Sequence, residues 1–150
     1  MAKPKQPIQV EYKTLVVLWS AMLMSQIIFL IIILFAKPEL FRFDFSQPIL
    51  GDQPLVTLVF AVGGLAAMIL GFVFRNQHMA RAAVDRDASC VQTGLVLGCA
   101  FSEACSLLGV VLAFAFEYPY FWIWMALGII GILFHFPRRG NLQAAQSKTI

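Results

Sequence analysis

The sequence predicts an all-α integral membrane protein, a four-helix bundle forming one transmembrane domain over residues 1–150. Two observations predict it. The chain is 60% hydrophobic and only 13% charged, whereas soluble domains carry roughly 25% charged residues. The apolar residues also fall into four runs, separated by segments rich in charge, proline or glycine. We place the spans at about 14–36, 55–74, 91–116 and 121–136.

Span one follows a polar segment, 1–13, which we expect to be a cytoplasmic tail. Its apolar core is too long for a signal peptide, so we predict a retained span. Trp19 is expected near a membrane interface. Gln26 is expected to hydrogen-bond to a neighbouring helix or to water, with a ligand role as the alternative.

The first loop, 37–54, is broken by prolines and by Gly51. An apolar strip in this loop is expected to lie along the membrane interface: Leu40, Phe41, Phe43 and Phe45. Span two then repeats a small residue every four positions, at Gly63, Ala67 and Gly71. That spacing puts the three on one helix face, where another helix can approach closely.

The segment 75–90 is the most polar stretch, and we expect a cytoplasmic loop with room for a further helical turn or two at each end. His78 is then a solvated loop residue. After span three, 117–120 is expected to form a tight turn, with an aromatic belt at the interface formed by Tyr118, Tyr120, Trp122 and Trp124. Span four is short. His135 is expected to contact lipid headgroups, before a polar C-terminal tail.

Basic residues set the predicted orientation. They recur in the N-terminal segment, in 75–90 and after span four, whereas the first loop holds only Lys37 and Arg42. Cytoplasmic segments carry the excess of lysine and arginine. We therefore expect a multi-pass protein of the cell (inner or plasma) membrane, with both termini in the cytoplasm.

Span three carries the feature that most needs a function, a single carboxyl group, Glu103, in the middle of an apolar run. A charge at that depth costs about 2.5 kcal/mol or more. Small residues repeat every four positions along two faces of the same span: Gly94, Gly98, Ser102 and Ser106 on one, and Cys105, Gly109 and Ala113 on the other. Both faces are suited to close helix packing.

Several classes of function are disfavoured. Cys90, Cys99 and Cys105 match no zinc or haem spacing, so we expect them to pack as small apolar side chains, and we predict no metal and no cofactor. No nucleophile–base set or phosphate loop is present, so an enzyme is not expected. The net charge of +3 forms no continuous patch, which argues against a nucleic-acid partner. Membrane lipid is the expected surrounding partner.

Spans two and three, over residues 55–116, resemble the helical hairpin of the proteolipid c subunit of rotary (F-/V-type) ATP synthases. The matching residues are the glycine and alanine repeat of span two, the polar sequence Arg75-Asn76-Gln77, the sequence Ser102-Glu103-Ala104 and the apolar run 108–113. The resemblance implies a ring-forming subunit in which Glu103 is the ion-binding carboxyl group. The chain departs from the family by adding spans one and four.

Three hypotheses follow. In the first, the chain is a homo-oligomer, possibly a ring, in which Glu103 binds a proton and Ser102 or Ser106 helps to supply oxygen atoms. Lipid disfavours the ionised form, so the carboxyl group would stay neutral until it meets water or a cation. In the second, the chain is a structural or accessory subunit of a larger membrane complex, and Glu103 is a neutral packing residue. The third, a small four-helix proton-coupled exporter, is weaker, since that family places its acid in the first helix.

Overall fold

The computed structural model of the protein describes residues 10–42 and 46–146. Within those residues all the regular structure is helical, as predicted. The elements are α1 (Tyr12–Ala36), a short 3₁₀ helix (Pro38–Phe41), α2 (Pro54–Asp85), α3 (Ala88–Phe116), α4 (Phe121–Phe134) and α5 (Arg139–Gln146). By length and apolar composition α1, α2 and α3 can each cross a membrane, which is consistent with a membrane protein.

The segment predicted as a polar loop, 75–90, is helical except at Arg86 and Asp87. The prediction allowed a helical turn or two at each end, and α2 exceeds that allowance by about one turn. α2 continues to Asp85, and Arg86 adopts the left-handed conformation (φ 51°) that ends it. Asp87 then caps α3, because its side chain accepts a hydrogen bond from the Ser89 backbone N–H at 2.9 Å. The polar residues before the turn are mostly good helix formers, so the polarity of the segment does not break the helix.

The four longer helices alternate in direction, with α3 packed against the other three. We call the end that holds the α2–α3 turn the hairpin end, and the opposite end the loop end. A buried cluster at the hairpin end joins the start of α1, the end of α2, the start of α3, the end of α4 and α5; it includes Leu15, Ala82, Val91, Ile132 and Leu142. A second cluster at the loop end includes Ile33, Leu112 and Phe121.

The C-terminal segment predicted as a polar tail forms a helix over Arg139–Gln146, which the sequence analysis did not predict. α5 buries Leu142 and Ala145 against the hairpin end. α4 has 14 residues, which gives a length of about 21 Å, short of the roughly 30 Å hydrocarbon core. Together α4 and α5 are long enough for a fourth span that is bent by 49° between the two helices.

The loop end is closed by aromatic side chains that were expected to face the membrane interface. Tyr118 Oη donates to the Ile49 carbonyl at 2.5 Å, and Tyr120 Oη donates to the Gln47 carbonyl at 2.7 Å. Both tyrosines and Trp124 are buried, so the predicted aromatic belt is wrong for these three. The phenol groups satisfy loop carbonyls that no regular structure pairs.

The predicted interfacial strip of the first loop is also partly wrong. Leu40 is buried, and Phe41 packs edge-on against Phe121, with ring centroids 5.4 Å apart. Phe43 and Phe45 lie outside the described residues.

Beside this loop, Lys37 and Glu117 form an ion pair of 2.5 Å, which raises the pKa of Lys37 and lowers that of Glu117.

The outward faces of α1 and α2 are apolar over most of their length. Phe35 is 83% exposed on α1, and Leu55 is 74% exposed on α2. Exposed apolar surface on this scale is uncommon on soluble monomers and is what lipid or a partner helix covers.

Candidate functional site

Glu103 lies on the side of α3 that faces α1, and its side chain is half-buried. Its nearest polar partner is Ser25 of α1, whose Oγ atom lies 2.6 Å from Glu103 Oε1. The same Oγ atom lies 2.7 Å from the Met22 carbonyl oxygen, one turn earlier on α1. Gln26 Nε2 lies 3.5 Å from the Ser25 Oγ atom and is the third polar group around it. The contact therefore joins two helices of one chain near the middle of both.

The number of protons shared by Ser25, Met22 and Glu103 decides which of their contacts are hydrogen bonds. A serine hydroxyl has one proton to donate and can accept twice, whereas the Met22 carbonyl can only accept. If Ser25 donates to Met22, Glu103 can hydrogen-bond to Ser25 only by donating a proton of its own. If Glu103 is ionised, Ser25 must turn its proton to the carboxylate and lose Met22. All the contacts are hydrogen bonds together only when the carboxyl group is protonated.

Ser102 and Ser106, predicted to help Glu103 bind an ion, lie on a different face of α3. Ser102 Oγ donates to the Gly98 carbonyl at 3.0 Å. Ser106 Oγ is buried and has no hydrogen-bond partner among the described residues. Both serines face glycines of α4: a Cβ atom built on Gly131 would lie 2.5 Å from Ser102 Oγ, and one built on Gly128 would overlap Ser106 Oγ. The structure thus brings Ser25, not these serines, to Glu103.

Several predicted packing glycines close helix contacts inside the chain. A Cβ atom built on Gly71 of α2 would lie 2.9 Å from Phe101 Cβ and 3.2 Å from the Gly98 carbonyl oxygen of α3. One built on Gly109 would lie 2.5 Å from Trp124 Cβ of α4. These spaces are too small for any side chain, so α2 and α4 approach α3 at glycine backbones.

The other predicted packing positions divide between the inside and the outside of the bundle. Gly94 is buried, and a Cβ atom there would lie 2.9 Å from His78 Cβ. Ala67 is half-buried, whereas Gly63 is exposed, and the nearest atom to a Cβ built on it is Leu108 Cδ1 at 3.8 Å. The repeat in span two is therefore not a single seam: Gly71 meets α3 while Gly63 remains open to lipid or a partner.

His135 is fully buried, and the predicted headgroup contact is wrong. Its ring occupies the space that the missing side chain of Gly98 leaves open. Nδ1 lies 2.5 Å from the Gly131 carbonyl, which can only accept, so Nδ1 carries the proton. Nε2 is buried without a hydrogen-bond partner in the described chain. The adjacent Pro137 and the arginines that follow it concealed this position, and only the four-residue glycine spacing signalled a gap.

His78 is likewise not a solvated loop residue. It lies on α2, where its Nδ1 atom is 2.8 Å from the Phe74 carbonyl.

Two polar side chains of α1 are directed into the bundle. Trp19 Nε1 donates to the Ile132 carbonyl of α4 at 2.8 Å. Gln26 is fully buried, and its Oε1 atom has no partner among the described residues.

Within residues 10–42 and 46–146, no three histidine, cysteine, aspartate or glutamate side chains are grouped so that they could hold a metal ion. Comparison with known proteins found no matching family model, no matching curated protein and no matching solved structure. Glu103 is a hydrogen-bonded carboxyl group between two apolar helices.

Proposed function

We propose that the protein is a structural or accessory subunit of a larger membrane complex, built as a four-span bundle in which Glu103 is a neutral residue that joins α1 to α3. The observation that carries the proposal is the Ser25–Glu103 contact within one chain. α4 with its bent continuation α5 is the fourth span. No catalytic step is part of this function.

The use of the polar groups supports this proposal. A subunit of a c-like ring would use its small-residue faces and its carboxyl group against neighbouring copies. Here Gly71, Gly98 and Gly109 are closed by helices of the same chain, and Glu103 has its partner on α1. Hydrogen bonds between membrane helices contribute about 0.6 kcal/mol on average and up to about 1.7 kcal/mol. Such a bond holds α1, whose other contacts are mostly apolar, in a fixed register.

The charge distribution supports the proposed orientation in a cell membrane. The described part of the hairpin end carries six basic residues: Lys13, Arg75, Arg81, Arg86, Arg138 and Arg139. The described part of the loop end carries two, Lys37 and Arg42. Because cytoplasmic segments hold the excess of basic residues, we place the hairpin end and both termini in the cytoplasm.

One observation favours a second function, the proton-binding homo-oligomer that the resemblance to the c subunit implies. Glu103 is half-buried and therefore lies at the edge of the bundle, with part of its side chain open to a neighbouring copy or to water. The protonated cluster at Ser25 would then be the resting state. Loss of the proton would turn the Ser25 hydroxyl group away from the Met22 carbonyl and towards the carboxylate.

The experiment combines native mass with carboxyl labelling across a pH series, on the full chain in mild detergent and in native membranes. We expect a heteromeric or small particle in which the carbodiimide labelling of Glu103 does not change across the pH series. Glu39, which is exposed, is the internal positive control, and Glu103→Gln defines the background. A large homo-oligomer in which Glu103 is labelled more readily at acidic pH would reject the accessory function in favour of the proton-binding oligomer.

A further inference from the structure

Two arginines meet at the hairpin end without a counter-charge. Arg75 of α2 reaches across to α4, where its Nη2 atom donates to the Phe136 carbonyl at the long distance of 3.5 Å. Its Nε atom is buried and has no hydrogen-bond partner in the described residues. Arg138 lies two residues after Phe136, so its backbone is near the end of the Arg75 side chain. Arg138 itself is exposed.

No acidic group neutralises this pair in the part of the chain that the structure describes. Lys37 and Glu117 form an ion pair at the opposite end of the molecule. The other basic side chain next to Arg138 is engaged differently, because Arg139 stacks over the Tyr12 ring at 4.8 Å. Two neighbouring cations with free donors form a site that a bound anion would complete.

The depth of the pair identifies the anion. Arg75 comes directly after the apolar part of α2, residues 55–74, so it lies where that helix leaves the hydrocarbon. Trp19 and Phe136 pack edge-to-face at the same level, with ring centroids 5.0 Å apart, and tryptophan is enriched at membrane interfaces. In a bilayer this level is occupied by lipid phosphate groups, and anionic headgroups are attracted by basic residues there.

The geometry points to a phosphate-binding site formed by Arg75 and Arg138, whose ligand is the headgroup of an anionic phospholipid in the leaflet at the hairpin end. Planar guanidinium groups bind phosphate oxygens in pairs, so two of them can hold one phosphodiester. The inference rests on the proposed membrane location but not on the role of Glu103. Its failure therefore leaves the native-mass experiment unaffected.

The test measures lipid binding to the full-length protein in mild detergent by native mass spectrometry. Phosphatidylglycerol and phosphatidylcholine with identical acyl chains are the probes. We expect wild type to prefer phosphatidylglycerol and the double variant Arg75→Gln/Arg138→Gln to lose that preference. The loss should be about five-fold per arginine, the factor equivalent to about 1 kcal/mol per basic residue at a membrane surface.

The control removes the same two charges elsewhere, with Arg42→Gln/Arg81→Gln, both at exposed positions. An equal loss in this control, or no preference in wild type, would overturn the site. Arg138→Gln alone removes an exposed side chain that the fold does not require, so unchanged affinity there also counts against the proposal. Inorganic phosphate is added as a competitor; displacement of the lipid at equal concentration would identify free phosphate as the ligand and reject the lipid.

Discussion

Ser25 on α1 and Glu103 on α3 are joined by a 2.6 Å contact between Oγ and Oε1. The two residues are far apart in sequence, and the hydrogen bond between their side chains links α1 to α3. Since Ser25 Oγ also lies 2.7 Å from the Met22 carbonyl, one hydroxyl group links a helix backbone to a carboxyl group on another helix. The protonation of Glu103 therefore decides whether the Ser25 hydroxyl group donates to the Met22 carbonyl or to the carboxyl group.

Ser25→Ala should weaken the attachment of α1 to α3. The variant removes the hydrogen bond and leaves Glu103 without its partner, and we expect a loss of about 1 kcal/mol, within the range measured for bonds between membrane helices. The measurement is thermal unfolding in detergent, together with the accessibility of a cysteine placed on α1. Ser20→Ala, a change on the same helix at a half-buried serine, is the matched control. Equal stability of the two variants would show that the contact has no structural role.

Glu103→Gln distinguishes a neutral packing residue from a proton carrier. Glutamine keeps the shape and an N–H donor for Ser25, so the accessory function predicts a variant with unchanged assembly and unchanged unfolding temperature. Glu103→Leu should be less stable, because Ser25 then loses the donor that the protonated carboxyl group supplies. An assembled Glu103→Gln variant that loses a proton flux present in wild-type proteoliposomes would instead support the proton-binding oligomer.

The helices were largely predictable from sequence, because long apolar runs leave few alternatives. The end of α2 and the start of α3 were not predictable in this way, since Arg75 and His78 were assigned to a loop on polarity alone. A polar helix that continues beyond the membrane looks like a loop when only hydropathy is considered. The helical propensity of the segment is the signal that favours a longer helix there.

The site was predicted in part. Glu103 stood out because a carboxyl group inside an apolar run is costly. Its partner did not, because Ser25 is small and its register against α3 depends on how α1 packs. His135 and Tyr118 were assigned to membrane interfaces, yet both are buried. Their burial depends on gaps and carbonyl groups that distant segments supply, at Gly98 and Ile49, and a single sequence does not show such pairings.

Gly98 and His135 should behave as a coupled pair. Gly98→Ala puts a methyl group where the imidazole ring lies, and we expect a loss of about 1–3 kcal/mol from overpacking. Combining it with His135→Ala vacates that space, so the double variant should be more stable than the sum of the two single changes predicts. The measurement is a double-mutant cycle on the free energy of unfolding. Gly63→Ala, at an exposed glycine of α2, is the control and should change little; strict additivity would exclude the contact.

Tyr118→Phe and Tyr120→Phe should release the first loop. Each removes one hydroxyl donor to a loop carbonyl, at Ile49 or Gln47, and we expect a loss of about 1 kcal/mol each. The measurement is the rate of limited proteolysis within 46–53, which should rise in both variants. Tyr12→Phe removes a hydroxyl at the hairpin end, where Tyr12 Oη donates to the Pro137 carbonyl. This control should leave the proteolysis rate unchanged, and an equal rise there would point to general destabilisation.

The Lys37–Glu117 pair should give the loop end a weak dependence on pH. The pKa of Glu117 is lowered by its hydrogen bond to Lys37, so the contribution of Glu117 is present above the ordinary carboxyl range and is lost as the pH falls through the lowered value. The pKa of Lys37 is raised by the same bond, so its contribution is lost as the pH rises through that raised value. The Glu117 side chain is 69% exposed and that of Lys37 is partly exposed, and ion pairs near the surface are weak. Glu117→Gln should therefore flatten the acid limb of the unfolding temperature against pH slightly, with salt reducing the difference from wild type. If the unfolding temperature of Glu117→Gln falls at acidic pH as it does in wild type at low salt, other carboxyl groups cause that fall.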